Sequence, residues 1–267
     1  MRHVDNPCAD RLHRACWFVT LTLTIGFLLP FLTAKGMFLD GVPYATISRN
    51  LAEGWGTWWK PYYTATLHPE FYEHPPLGFI IQSSFFWSLG DHYLTEKIYS
   101  FSTMSASLGL LVLLWRQILV GRNDFLKFSW VPVLFWITFP RWQWTYKNNL
   151  LENTVTVFCL LGSLYALRAL ATSESRARLW NSFLVGIAIT AAFLTKGPVG
   201  LFPITLPLLY SAVTDGENRL RSGLTVSLLS AFWVCTLLGF LLLYEPARTN
   251  ITHYLGSQVL TSLTGER

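Results

Sequence analysis

Few side chains in this sequence are equipped for chemistry, and they stand at the edges of apolar runs. Asp40 lies just beyond the first such run, at the boundary between lipid and water. Half buried there, a carboxylate has its proton affinity raised by desolvation and suits a general base; in FLDGVPYA it equally suits a helix cap. Glu152 opens another apolar run, where it complements a helix dipole or converges with Asp40 on one surface. The stretch Phe71-Tyr72-Glu73-His74-Pro75-Pro76 sets an acid and an imidazole before a rigid Pro-Pro step. Glu73 and His74 are candidates to hold a divalent metal, with His68 and His253 needed to complete the ligands, and His74 is alternatively a phosphate-binding or ordinary loop residue. Lys196 interrupts ITAAFLTKGPVGLFP. An ionisable residue at such a break either contacts a lipid phosphate or snorkels to the headgroup layer.

Helices that cross lipid must position these groups. The uncharged run 15–34 spans about 30 Å as a helix and follows Arg2, Arg11 and Arg14, so it reads as a first crossing with a cytoplasmic N-terminus. A cleaved signal peptide is the rival reading, but the run is long for one and no A-x-A site follows. Residues 35–76 then form a long extracytoplasmic loop. Within it Tyr44, Ile47 and Leu51 share one helical face over 43–53, ahead of Gly54, which reads as a short surface helix.

Further apolar runs occupy 77–89, 100–120, 129–146, 153–170, 181–213 and 223–244. Lys196-Gly197-Pro198 divides the 181–213 run into two helices. Arg116, Arg122 and Lys127, then Arg168, Arg176 and Arg178, then Arg219 and Arg221 assign three connections to the cytoplasm. The outer side keeps the first loop, the 145–153 turn, the Lys196 break and the tail after Tyr244. The 77–89 run covers only about 20 Å as a helix, so it is expected to lie at the interface or re-enter, leaving Asp91, His92 and Glu96 near the face that holds Asp40.

Composition supports lipid as the solvent. Of 267 residues, 52% are hydrophobic and only 13% charged, against a soluble norm of ~25%, and mean hydropathy is +0.36. A soluble globule, a disordered chain and a coiled coil are excluded. The net charge of +5 is scattered between apolar runs and builds no continuous basic face, so nucleic acid is not expected as a partner. Cys8, Cys16, Cys159 and Cys235 form no CxxC pair and support neither a disulfide framework nor a zinc knuckle. The expectation is an all-α polytopic transmembrane bundle, a single domain over 1–267. The polar end at Arg267 with no closing helix suggests the N-terminal part of a longer enzyme.

Taken in order, the Asp after the first helix, E-H-P-P-L-G, N-L-L-E-N and F-L-T-K-G-P-V-G resemble the N-terminal half of polyprenyl-phosphate-dependent glycosyltransferases of the GT-C fold. Protein O-mannosyltransferases and lipid A aminoarabinose transferases are the branches most similar. The resemblance covers about residues 15–265 and implies a cell-envelope enzyme of a bacterial-type inner membrane. It would transfer a sugar, with inversion, from a polyprenyl-phosphate donor to a protein, lipid or glycan acceptor on the extracytoplasmic side. It implies that Asp40 is catalytic and engages the acceptor, that Glu152 is the second outer acid, and that His74 and Lys196 contact the donor phosphate. The family pattern follows the first Asp with Glu, where Gly41 stands here. A transporter or flippase subunit and an inactive truncated homologue are the alternatives; against the first, the charges gather at one boundary rather than through the membrane midplane.

Overall fold

The computed structural model describes residues 7–214, 216 and 219–265; Arg2 and Arg267 lie outside them. The chain is helical, with one small hairpin. Helix α1 (Pro7–Thr33) leads into the first loop, which carries α2 (Gly41–Ala52) and the paired strands β1 (Gly56–Thr57) and β2 (Lys60–Pro61). There follow α3 (Leu77–Leu89), α4 (Thr95–Ile118), α5 (Asn123–Leu126), α6 (Trp130–Thr138), α7 (Pro140–Lys147), α8 (Leu151–Ala171) and α9 (Ser175–Lys196). A 3-10 segment (Gly197–Ile204), α10 (Leu206–Ala212), α11 (Arg219–Leu242), α12 (Glu245–Tyr254), a π turn (Leu255–Leu260) and α13 (Thr261–Thr264) complete it.

Among the described residues five segments are long and apolar enough to cross a membrane: Asp10–Pro30, Thr95–Ile118, Leu151–Ala171, Ser175–Ala212 and Arg219–Leu242. The fourth contains the break at Lys196-Gly197-Pro198, as expected from the sequence. The antiparallel pair α8 and α9 is the centre of the bundle, with Ala166, Val185 and Ile189 packed against Val234 of α11. Small residues such as Ala166 let the helices approach closely, which is how helices associate where lipid removes the hydrophobic drive. The outward faces of α1 and α11 stay apolar and exposed, at Phe18, Leu21, Phe232 and Phe240.

The 129–146 run is not one continuous helix. Pro140 excludes the helical conformation from the preceding residue, and Phe139 is extended at ψ 120°, so α6 and α7 meet at a break. Lys127, before α6, pairs with Asp10 near the start of α1, whereas the carbonyl of Lys147, at the end of α7, accepts a bond from Lys97 at the start of α4. The broken pair therefore still runs from one end of the bundle to the other.

The first loop is a packed element. Tyr44 and Ile47 of α2 join Phe71, Phe79 of α3, and Leu150 and Leu151 at the start of α8 in one buried cluster, with Leu51 against it. Helix α3 lies alongside α2 over its length. Tyr44 meets Phe79, Ser48 donates to Gln82, and Arg49 pairs with Asp91 at 3.4 Å. The Lys35 ammonium, just beyond α1, faces the Tyr93 ring at 5.7 Å. Both ends of α3 thus sit with the first loop, and its 13 residues do not carry the chain across.

Candidate active site at the head of the bundle

Lys196 is the last residue of α9, and Gly197 turns the chain there at φ +74°, ψ −146°, a conformation open essentially to glycine. The turn points Lys196 toward α8, and its Nζ lies 2.6 Å from Glu152 Oε1. The ammonium does not snorkel into water: its side chain is 22% exposed and its charge is met by a carboxylate from the neighbouring helix. Glu152 Oε2 is buried and accepts no hydrogen bond. These are two of the residues singled out from the sequence.

His74 joins them from the first loop. Its Nε2 lies 2.9 Å from the Tyr44 hydroxyl, and its ring packs beside Tyr254 of α12 at 6.2 Å. Tyr254 in turn donates its hydroxyl proton to the Lys196 carbonyl at 3.1 Å. A Cβ on Gly197 would come within 2.2 Å of that hydroxyl oxygen, so the site needs glycine there for space as well as for φ. Burial lifts the Tyr44 phenol well above its usual range, and the negative charges of Asp40, Glu152 and Glu73 push the same way. The three carboxylates therefore act electrostatically on one hydroxyl. Burial also raises the Tyr254 phenol.

Asp40 stands at the N-cap position of α2, yet its side chain makes no capping bond and is exposed. The capping role is absent. The segment around it is fixed instead by backbone contacts with the 145–153 turn: Asn148 Oδ1 accepts the Phe38 amide at 2.7 Å, and Gly41 lies against the Asn148 carbonyl.

The remaining candidates are placed differently. Glu73 pairs with His68 at 3.7 Å, and the His253 ring stacks near Tyr72 at 4.7 Å. Among the described residues no three His, Cys, Asp or Glu side chains gather as a metal would require. Asp91 is held by Arg49 in the last turn of α2, so Asp91, His92 and Glu96 share the side of the first loop but lie at the far end of α2 from Asp40.

Tyr254 and Asn148 do not stand out in the sequence, and Tyr44 stands out there for packing alone. The available signals were Gly197, which announces a close neighbour, and the N-N pair in the 145–153 turn. Beside Glu152 opens an aromatic cavity of about 630 Å³, with Phe135, Trp136, Trp142 and Tyr146 in its wall. Phe135 and Phe139 at its mouth are 74% and 64% exposed on the face of the bundle.

The fold of this bundle has known counterparts. Two crystal structures of ArnT from Cupriavidus metallidurans, one apo and one bound to undecaprenyl phosphate, superpose with TM-scores of 0.59 and 0.60, at 20% identity over 82% of this chain. The fold is of the GT-C type. In sequence the chain is 27% identical over 211 residues to undecaprenyl phosphate-alpha-4-amino-4-deoxy-L-arabinose arabinosyl transferase 1 of Proteus mirabilis (strain HI4320), covering 79% of this chain. No protein-family model matches it. The chain spans 36% of the Proteus transferase and 41% of the Cupriavidus one, so the GT-C likeness concerns a part of each.

Proposed function

We propose that this chain carries the catalytic head of an inverting glycosyltransferase that takes its sugar from a polyprenyl-phosphate donor on the extracytoplasmic side of the membrane. The observation that carries the reading is the meeting of Lys196, Glu152, His74 and Tyr44, contributed by four elements, at the one end of the bundle where Asp40 is exposed. In such a transfer the negative charge develops on the departing phosphate, and preorganised cationic and hydrogen-bonding groups stabilise it. Lys196 supplies the cation, oriented by Glu152 Oε1, and His74, held by Tyr44, supplies a second phosphate contact. Asp40 faces the acceptor, orienting or deprotonating its nucleophile.

The donor class agrees with the cavity beside Glu152, whose aromatic wall opens on the apolar flank and would receive a chain arriving sideways from lipid. The Proteus relative's name gives an undecaprenyl phosphate amino sugar as a donor to try first. With the first loop outside, the N-terminus lies in the cytoplasm.

Asp40→Asn tests the reading, because it keeps size and removes the charge needed for acceptor engagement. Membrane-embedded protein supplied with a radiolabelled polyprenyl-phosphate sugar and envelope acceptors should transfer label, and the Asn variant should insert equally well and transfer none. Equal transfer by both proteins would sink the assignment.

A further inference from the structure

Asp40 presents a puzzle of placement. Its carboxylate is exposed and makes no capping bond, so nothing on its own helix fixes where it points. Its position must come from the backbone that carries it. Local bonds shape that backbone, from the Gly41 amide to the Phe38 carbonyl at 2.9 Å and from the Tyr44 amide to the Asp40 carbonyl at 3.3 Å, and two contacts with Asn148 tie it to the 145–153 turn. Asn148 Oδ1 accepts the Phe38 amide proton at 2.7 Å, two residues before Asp40. One residue after Asp40, the buried Gly41 sits so close to the Asn148 carbonyl that a Cβ there would be 2.0 Å from its oxygen.

Asn148 is itself immobilised. It is 4% exposed, and its Nδ2 donates to the Trp144 carbonyl at 2.8 Å, which settles which way the amide faces. The turn it occupies is braced from behind. Lys97, 3% exposed, donates to the Lys147 carbonyl at 3.0 Å, and Asn149 adopts φ +52°, a left-handed conformation that Asn tolerates better than most residues. Asn153, 2% exposed, donates to the Thr145 carbonyl at 3.0 Å and closes the turn onto the first residues of α8. Glu152 stands beside it in that first turn, paired with Lys196. The same rigid turn therefore holds the acid that orients Lys196 and the backbone that presents Asp40.

We propose that Asn148 is a positioning residue, which sets the Asp40 carboxylate against the Glu152–Lys196 pair by holding the backbone on both sides of Asp40. It touches neither substrate nor reacting atoms; it acts through Asp40. The inference rests on the glycosyl-transfer reading for its catalytic meaning. It also accounts for Gly41, where the family pattern has Glu: a side chain at 41 and the Asn148 carbonyl cannot share that space.

The test compares Asn148→Ala and Gly41→Ala, which loosen the contact from opposite sides. Each should lower kcat on the order of ten- to a hundredfold, the scale of a displacement near 1 Å, with KM for the polyprenyl-phosphate sugar unchanged. Since both act through one displacement, the double variant should be no slower than the slower single one. A raised donor KM with kcat intact, or losses that multiply, would overturn the proposal.

Amide exchange on the same proteins reads the anchor without turnover. Asn148→Ala should speed exchange at 38–41 and leave α8 unchanged. Unaltered exchange there would refute the anchor even if activity fell. A wild-type protein that transfers no sugar would instead overturn the glycosyl-transfer reading, and with it the catalytic meaning of an anchor that exchange still detects.

Discussion

Lys196 Nζ lies 2.6 Å from Glu152 Oε1, so the last residue of α9 is tied to the first turn of α8 at the head of the bundle. The two side chains do unequal work. A charge-assisted contact from Lys196 to a phosphate contributes ~1.5–3 kcal/mol, so Lys196→Ala should weaken donor binding roughly 10- to 150-fold. Glu152→Gln keeps an acceptor for the ammonium and should reduce turnover less. Titration with polyprenyl phosphate decides it, and a Lys196→Ala protein with wild-type affinity would leave the lysine a purely structural role.

Gly197 should tolerate no side chain. Its φ of +74° is strained for any L residue, and an added methyl would meet Tyr254 Oη at 2.2 Å and two ring carbons at 2.5 and 2.6 Å. Gly197→Ala should destabilise the protein by ~1–3 kcal/mol from the backbone alone. Tyr254→Phe should not rescue it, because the ring carbons remain. Thermal unfolding in detergent of the single and double variants measures both effects.

Alkaline pH should loosen the first loop. The Tyr44 phenol is raised by burial first and then by Asp40, Glu152 and Glu73, and Tyr72 is pushed up to about 12 by burial and then by Glu70. In the unfolded chain a tyrosine ionises near ~10. Each group's stabilisation is therefore full below that pH and is lost as pH rises through the higher folded value, where the unfolded state has released the proton and the folded state still holds it. Unfolding midpoints should fall between about pH 10 and 12, and Tyr44→Phe should shallow the fall. An identical slope in the variant would show that Tyr44 ionisation is not its source.

The placement of α3 beside α2 puts residues 92 and 94 on the side of the first loop. Single cysteines there, in a protein lacking the native four, should react with a membrane-impermeant thiol reagent in intact cells. Labelling that needs an opened membrane would place the loop on the cytoplasmic side or α3 across the bilayer.

Much of this is legible in the order of residues. Run length gives α1, α4, α8 and α11; the spacing of Tyr44, Ile47 and Leu51 gives the buried face of α2; Gly197-Pro198 marks the break after Lys196. Glu152 and Lys196 fall at one boundary because the first opens α8 and the second closes the antiparallel α9. Their pairing depends on the rotation of α8 against α9, which hydropathy does not encode. The break at Pro140 is visible as a residue but hidden by the apolar run around it. Tyr254 is illegible because its role depends on α12 folding back onto the head, and Asn148 because a side chain that bonds backbone leaves no periodic signature.

The fold-back of α12 has a consequence for the order of assembly. Asn250, fully buried, donates to the Trp59 carbonyl at 3.0 Å across a separation of 191 residues, and Tyr254 reaches the Lys196 carbonyl from the same helix. The last of the five apolar segments among the described residues ends at Leu242, so a ribosome-bound chain can have threaded them into the bilayer while the Trp59 and Lys196 carbonyls still lack these partners. The head is closed after these five segments, by a docking step outside the lipid whose loop-closure entropy grows only slowly with the length of intervening chain. Insertion of these five segments and closure of the head are separate events, and a released polypeptide ending near residue 244 should insert all five and leave the head open.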